Sequence, residues 1–180
     1  MVEAPLLVVL LWLFYPLWLA AGWLDYRCHR LTDLPRTSGL PEAAWHMVMM
    51  GQVGVGLLAA LALAPSHAVL LGLVALGVLH LLASVADTRR ADGRRRVGVL
   101  EQHVHSFLDV LPLLGLALYV ALHWPGTGDL ARADWSLRLR EPALPAGVWI
   151  AVLAPALAFA VLPGWMEFRR AWQARRAALA

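Results

Sequence analysis

Four apolar stretches of the sequence each carry one carboxylate and one histidine at helical spacing: Asp25 with His29, Glu42 with His46, His80 with Asp87, and Glu101 with His105. Residues four apart on an α-helix differ by about 40° around its axis and residues seven apart by about 20°, so each pair shares a face. Ionisable groups within apolar, membrane-length segments are costly and mark function. Carboxylate oxygens and imidazole nitrogens are ligands for divalent cations, and without thiolates they suit iron, manganese or zinc better than copper(I). Four carboxylates brought together in a low-dielectric bundle would repel one another. Two divalent ions would balance them and leave neutral imidazoles to complete the coordination. The expectation is therefore a site for two divalent metal ions, iron first, with those eight residues as ligands.

Each pair alone has a plainer explanation. Asp25 can pair with Arg27, Asp87 with Arg89 or Arg90, and Glu42 and Glu101 can sit at the positive ends of helix dipoles. Agreement of all four pairs in face and depth is what argues for a shared site. Asp109 continues the face of Glu101 and His105 one turn deeper, whereas His103 lies about 160° from His105. Both are candidates for proton transfer. Arg27 and Arg30 are candidates for holding an anionic substrate group, although snorkelling anchors are the commoner role. The one cysteine, Cys28, excludes an internal disulfide and a thiolate-rich metal site. His67 and His123 belong to the opposite ends of their segments and read as interfacial.

The elements that must position these residues are membrane helices. Of 180 residues 61% are hydrophobic, and a mean hydropathy of +0.65 exceeds what a soluble core of this size needs. Windows of about 20 apolar residues predict five spans, near residues 5–25, 41–64, 67–87, 101–123 and 144–164. The predicted fold is all-α, a single polytopic helical bundle. All 15 basic residues are arginine. They follow the first span (Arg27, Arg30, Arg36), the third (Arg89, Arg90, Arg94, Arg95, Arg96) and the fifth (Arg169, Arg170, Arg175, Arg176), and only Arg132, Arg138 and Arg140 lie on the other side. The positive-inside rule places the N-terminus outside, the C-terminus in the cytoplasm and all four pairs at the cytoplasmic edge. The run Arg94 to Arg96 reads as a topology determinant, and Gly51, Gly54 and Gly56 as sites of close helix packing. Basic residues spread as membrane anchors give no nucleic-acid surface, so no nucleic-acid partner is expected.

The stretches Asp25-Tyr26-Arg27-Cys28-His29-Arg30, Thr37-Ser38-Gly39 with Glu42 and His46, and Glu101 through Phe107 resemble a group of small, uncharacterised bacterial inner-membrane proteins. The resemblance implies the bacterial inner membrane and transfers no activity. More loosely, histidines and acids at the membrane edge look like those of membrane di-iron desaturases and hydroxylases, although the His-x-x-His-His boxes of that class are missing. The leading functional expectation is a di-iron oxidoreductase acting on a lipid or other hydrophobic substrate, which would need an electron donor and could form a homo-oligomer. The alternatives are a di-zinc or di-manganese lipid-headgroup hydrolase, in which Arg27, Arg30 and Arg36 would neutralise the anionic group, and a metal-binding or metal-transport protein. A transporter would carry polar groups across the bilayer, whereas the far halves of the spans are nearly pure Leu, Ala, Val and Gly.

Overall fold

The computed structural model describes residues 3–124 and 133–180; Arg132 lies outside the described residues. Five helices are long and apolar enough to cross a membrane, as the sequence predicts: α1 (Leu6–Leu31), α2 (Leu40–Ala62), α3 (His67–Ala91), α4 (Val99–His123) and α5 (Ala146–Ala177). Large apolar side chains cover the outside, Leu82 for example being 62% exposed. Buried carboxylates and histidines lie inside. Apolar outside and polar inside is the arrangement of a multi-pass membrane protein.

Several helices run further than the hydropathy windows predict. α1 reaches Leu31 instead of Asp25, α3 reaches Ala91 instead of Asp87, and α5 reaches Ala177 instead of Gly164. The additions are amphipathic, and a hydropathy window discards them because their outer faces carry arginine. α1 and α5 each contain one π-helical turn, at Leu10–Phe14 and Leu157–Val161. Each is followed within two residues by a proline, Pro16 or Pro163. Proline offers no N–H to the preceding turn and its ring crowds the carbonyl four residues back, so the backbone widens there.

The helices close into a ring in which α3 packs on α2, α2 on α5, α5 on α1, α1 on α4, and α4 on α3. The chain reverses after every span, so the carboxyl ends of α1, α3 and α5 meet the amino ends of α2 and α4 at one end of the ring. Two glycines with positive φ make the tight connections there. Gly39 (φ 71°) starts α2, and Gly93 (φ 72°) turns the α3–α4 loop back toward the bundle; both conformations suit a residue without Cβ. Leu34, Leu40, Ala43 and Ala171 form a buried cluster against Phe168, which fixes the end of α5 on the α1–α2 turn.

At the opposite end, residues 134–140 lie on the α2–α3 turn. The Ser66 hydroxyl caps α3, accepting from Val69 N at 3.2 Å, and donates to Ser136 O at 2.8 Å. His67 Nδ1 accepts from Asp134 N at 3.0 Å and the ring packs edge-on against Trp124. His67, at the start of its span, is thus buried beneath a loop. Gly51 and Gly54 meet nothing within 4 Å at their Cβ positions, whereas at Gly56 a Cβ would meet Leu76 Cδ2 at 3.4 Å. Close packing therefore involves Gly56 and not the other two.

Candidate metal centre

The arginine-rich end of the ring holds five buried carboxylates: Asp25, Glu42, Asp87, Glu101 and Glu167. Helical periodicity aims them inward. Asp25 and His29 lie one turn apart on the last part of α1, and Glu101 lies in the first turn of α4, one turn before His105. On α5 the buried residues Pro163, Glu167 and Ala171 recur every fourth position, the interval that keeps one face of a helix against its neighbours.

Asp25, His29, Glu101 and His105 form a first group, each offering one donor atom within 4.8 Å of all the others. His105 Nε2 is 2.9 Å from Asp25 Oδ1, while His29 Nε2 is 3.4 Å from Asp25 Oδ1 and 3.3 Å from Glu101 Oε1. His29, His46 and Glu167 form a second group. The Glu167 carboxylate spans two histidines, with Oε2 at 2.8 Å from His29 Nδ1 and Oε1 at 2.9 Å from His46 Nδ1. The two imidazoles stack with centroids 4.7 Å apart and planes at 7°. His46 Nε2 reaches Asp87 Oδ2 at 3.1 Å.

These distances fit a metal site. Oxygen and nitrogen ligands at about 2.0–2.2 Å from one ion lie about 3.0–3.5 Å from one another, close to the three shorter separations in the first group, while His105 Nε2 is 3.9 Å from Glu101 Oε1. Three of those atoms, Asp25 Oδ1, His29 Nε2 and Glu101 Oε1, are buried without a hydrogen bond of normal geometry, although Asp25 Oδ1 lies 2.9 Å from His105 Nε2 and Glu101 Oε1 lies 2.5 Å from an Arg95 guanidinium nitrogen. Close approach without alignment is what atoms converging on one point produce, and buried polar atoms are rarely left unpaired. With both Nδ1–H groups donating to Glu167, the Nε2 lone pair of His29 would face Asp25 and Glu101 and that of His46 would face Asp87, with a metal ion between. Carboxylate partners of this kind fix the tautomer and orientation of ligating histidines.

Glu42 goes elsewhere. Its side chain is 0% exposed and binds Arg95, whose Nε donates to Oε1 at 3.0 Å and whose second guanidinium nitrogen donates to the same oxygen at 2.5 Å. The third guanidinium nitrogen lies 2.5 Å from Glu101 Oε1, and the Arg95 side chain is only 1% exposed. Glu42 is therefore in neither donor group, and Arg95 is a buried structural partner in addition to a topology marker. Burial lowers the pKa of the guanidinium, but hydrogen bonds and charge from Glu42 and Glu101 outweigh it and raise the pKa above its usual value. With the imidazoles neutral, five buried carboxylates against one guanidinium leave four negative charges, which two divalent cations would balance.

His80 is also outside both groups. It is 7% exposed with neither ring nitrogen in a hydrogen bond. A cavity of about 130 Å³ borders Asp25, His46, Asp87, His105 and Glu167, and His80 and Asp109 line its deeper part. Trp18, Val53 and His80 also line a second, almost wholly apolar chamber of about 210 Å³ between α1, α2, α3 and α4. The site thus continues inward into an apolar space. His103 is exposed, as are Arg27 and Arg30, and Arg27 stacks over Trp23 at 5.5 Å. None of the three lines either cavity. Cys28 is buried on α1 and belongs to neither donor group.

The sequence reading missed Glu167 and the inward role of Arg95. Glu167 had a readable signal, being the one acidic residue among the four arginines of the C-terminal segment. Arg95 had none, since nothing distinguishes it from Arg94 and Arg96 without the fold. Comparison with protein-family models, curated proteins and solved structures returned no match.

Proposed function

We propose that this protein is a membrane-embedded oxidoreductase with two divalent metal ions, iron in the first instance, acting on a hydrophobic substrate near the cytoplasmic face of a bacterial inner membrane. The observation that carries this reading is the pair of donor groups joined through His29 and Glu167 and opening onto an apolar chamber. Asp25, His29, Glu101 and His105 would hold one ion. His46 would hold the other with Asp87, which lies 3.1 Å from its Nε2 but outside the second donor group, and Glu167 would orient both stacked imidazoles. The bound metals would supply redox chemistry with dioxygen at the end of the apolar chamber. The chain's own residues exclude water, balance the charge and offer Asp109 as a proton carrier at the cavity wall.

The competing reading of a lipid-headgroup hydrolase fits less well. It needs cations facing the site, whereas Arg27 and Arg30 are exposed and Arg95 is engaged with Glu42 and Glu101. A metal transporter needs polar groups continuing inward, and the chamber is apolar.

Metal content and Mössbauer spectroscopy of purified protein test the proposal. The expected result is two iron atoms per chain with nitrogen and oxygen ligation. Two zinc atoms would favour the hydrolase, and a folded, active, metal-free protein would end both readings. Glu167→Ala is expected to weaken metal binding tenfold to a hundredfold, the usual effect of losing an orienting carboxylate, as measured by competition with a chelator. Glu167→Gln keeps an oxygen acceptor for one of the two imidazoles and should fall between Glu167→Ala and the parent protein.

A further inference from the structure

Two polar side chains that line the apolar chamber have buried atoms without a hydrogen-bond partner among the described residues. Gln52 Oε1 is buried without a hydrogen-bond partner, and so are both nitrogens of His80; both residues line the chamber. Of its other polar lining groups, the Tyr15 hydroxyl donates to Val152 O and the Tyr119 hydroxyl to Ala60 O at 3.4 Å, and Trp18 brings an indole N–H. Aromatic faces of Phe14 and Trp18 and the bare backbones of Gly56, Gly77 and Gly115 complete the walls. The space at Gly77 is already filled to contact, since a Cβ there would come within 2.8 Å of Leu116 Cδ2. An apolar cavity with a few unpaired polar groups is the usual form of a small-molecule site, the polar groups fixing the ligand's orientation.

From this geometry we infer that the chamber binds a membrane-dissolved molecule with a long apolar body and a hydroxyl group. A neutral imidazole has one N–H donor and one acceptor nitrogen, and an amide oxygen accepts. A ligand that donates to Gln52 Oε1 and accepts from the His80 N–H must do both, which one hydroxyl does and a hydrocarbon chain or an ester carbonyl does not; the other His80 nitrogen is left for a second donor. Aliphatic alcohols and quinols share this chemistry. The apolar body lies along Leu73, Leu76 and Leu111, and the hydroxyl end lies toward His80, where the chamber meets the acidic cavity. The inference goes beyond the metal reading and does not depend on it.

The test is thermal unfolding of the purified protein in detergent with equal mole fractions of a decyl-substituted benzoquinol, dodecan-1-ol or dodecane. A hydroxyl-bearing ligand at a hundredfold excess over its Kd should raise Tm by about 5–10 °C, and dodecane should do much less. A rise with the quinol alone assigns the ligand to quinols, and a rise with the alcohol assigns it to aliphatic alcohols; equal shifts with all three overturn the inference. Gln52→Leu and His80→Phe should each abolish the hydroxyl-dependent part of the shift, and its retention in Gln52→Leu overturns the inference even if His80→Phe fails to fold. Metal analysis of the same samples separates the two proposals. A metal-free protein that keeps the hydroxyl-dependent shift loses only the metal reading, and a two-metal protein without the shift loses only this one.

Discussion

His29→Ala is expected to abolish metal binding at the first donor group and to weaken it at the second, a larger loss than any other single replacement in the site. The reason is its position, with Nε2 among Asp25, Glu101 and His105 and Nδ1 2.8 Å from the Glu167 carboxylate that also holds His46. A neutral imidazole gives one nitrogen to a metal and keeps its proton on the other. In the proposed site His29 would therefore ligate through Nε2 and donate from Nδ1 to Glu167. Its removal deletes a ligand of the first ion. It also releases one side of Glu167, which weakens the second ion by about tenfold to a hundredfold.

Asp87→Ala makes the informative comparison, because Asp87 contacts only His46 among the histidines. It should cost the second ion and leave the first. His103→Ala, at an exposed position of α4, should change neither. Metal content after dialysis against a graded chelator series reads all three variants. Equal metal retention in His29→Ala and His103→Ala would remove the shared role assigned to His29.

How much of this site the sequence revealed follows from which distances are local. The pairs Asp25 with His29 and Glu101 with His105 are one helical turn apart in apolar segments, and helical periodicity alone places each on one face. The structure brings those four residues together. Glu42 and His46 have the same spacing, yet they diverge. Glu42 stands in the first turn of α2 beside the α3–α4 loop and takes Arg95, while His46 lies one turn deeper against α5. Spacing predicts a common face, but what that face meets depends on packing. His80 and Asp87 divide likewise, Asp87 meeting His46 and His80 facing the apolar chamber.

Glu167 was lost to the hydropathy window, which ends the span at Gly164 where arginines begin. The helix continues because the arginines occupy its outer face while Pro163, Glu167 and Ala171 keep the inner one. Five spans were legible because apolar runs of membrane length have few other uses. Contacts between residues far apart in sequence, such as Arg95 with Glu42, were not.

Arg95→Met is expected to lower stability by about 3–5 kcal/mol, the usual consequence of stranding one member of a buried ion pair. Glu42 is 0% exposed and receives three N–H···O contacts from Arg95, and Glu101 takes the remaining guanidinium nitrogen. Without the guanidinium, two carboxylates remain at the mouth of the site with no counter-charge from the loop. Adding Glu42→Gln should restore about 2 kcal/mol or more, because residues in direct contact couple by about 0.5–3 kcal/mol and here the second change removes the stranded charge. Arg94→Ala and Arg96→Ala, at exposed positions of the same loop, should each stay within about 0.5 kcal/mol of the parent protein. Denaturant unfolding in a fixed detergent reads the set. If Arg95→Met behaved like its two neighbours, the loop would not deliver its guanidinium into the bundle. If Arg95→Met were unstable and Glu42→Gln failed to rescue it, the loss would lie in Glu101 and hence in the first donor group. Metal binding separates that second case, since loss of Glu101 positioning lowers affinity at the first group, whereas stranding Glu42, which belongs to neither group, lowers stability and leaves affinity in place.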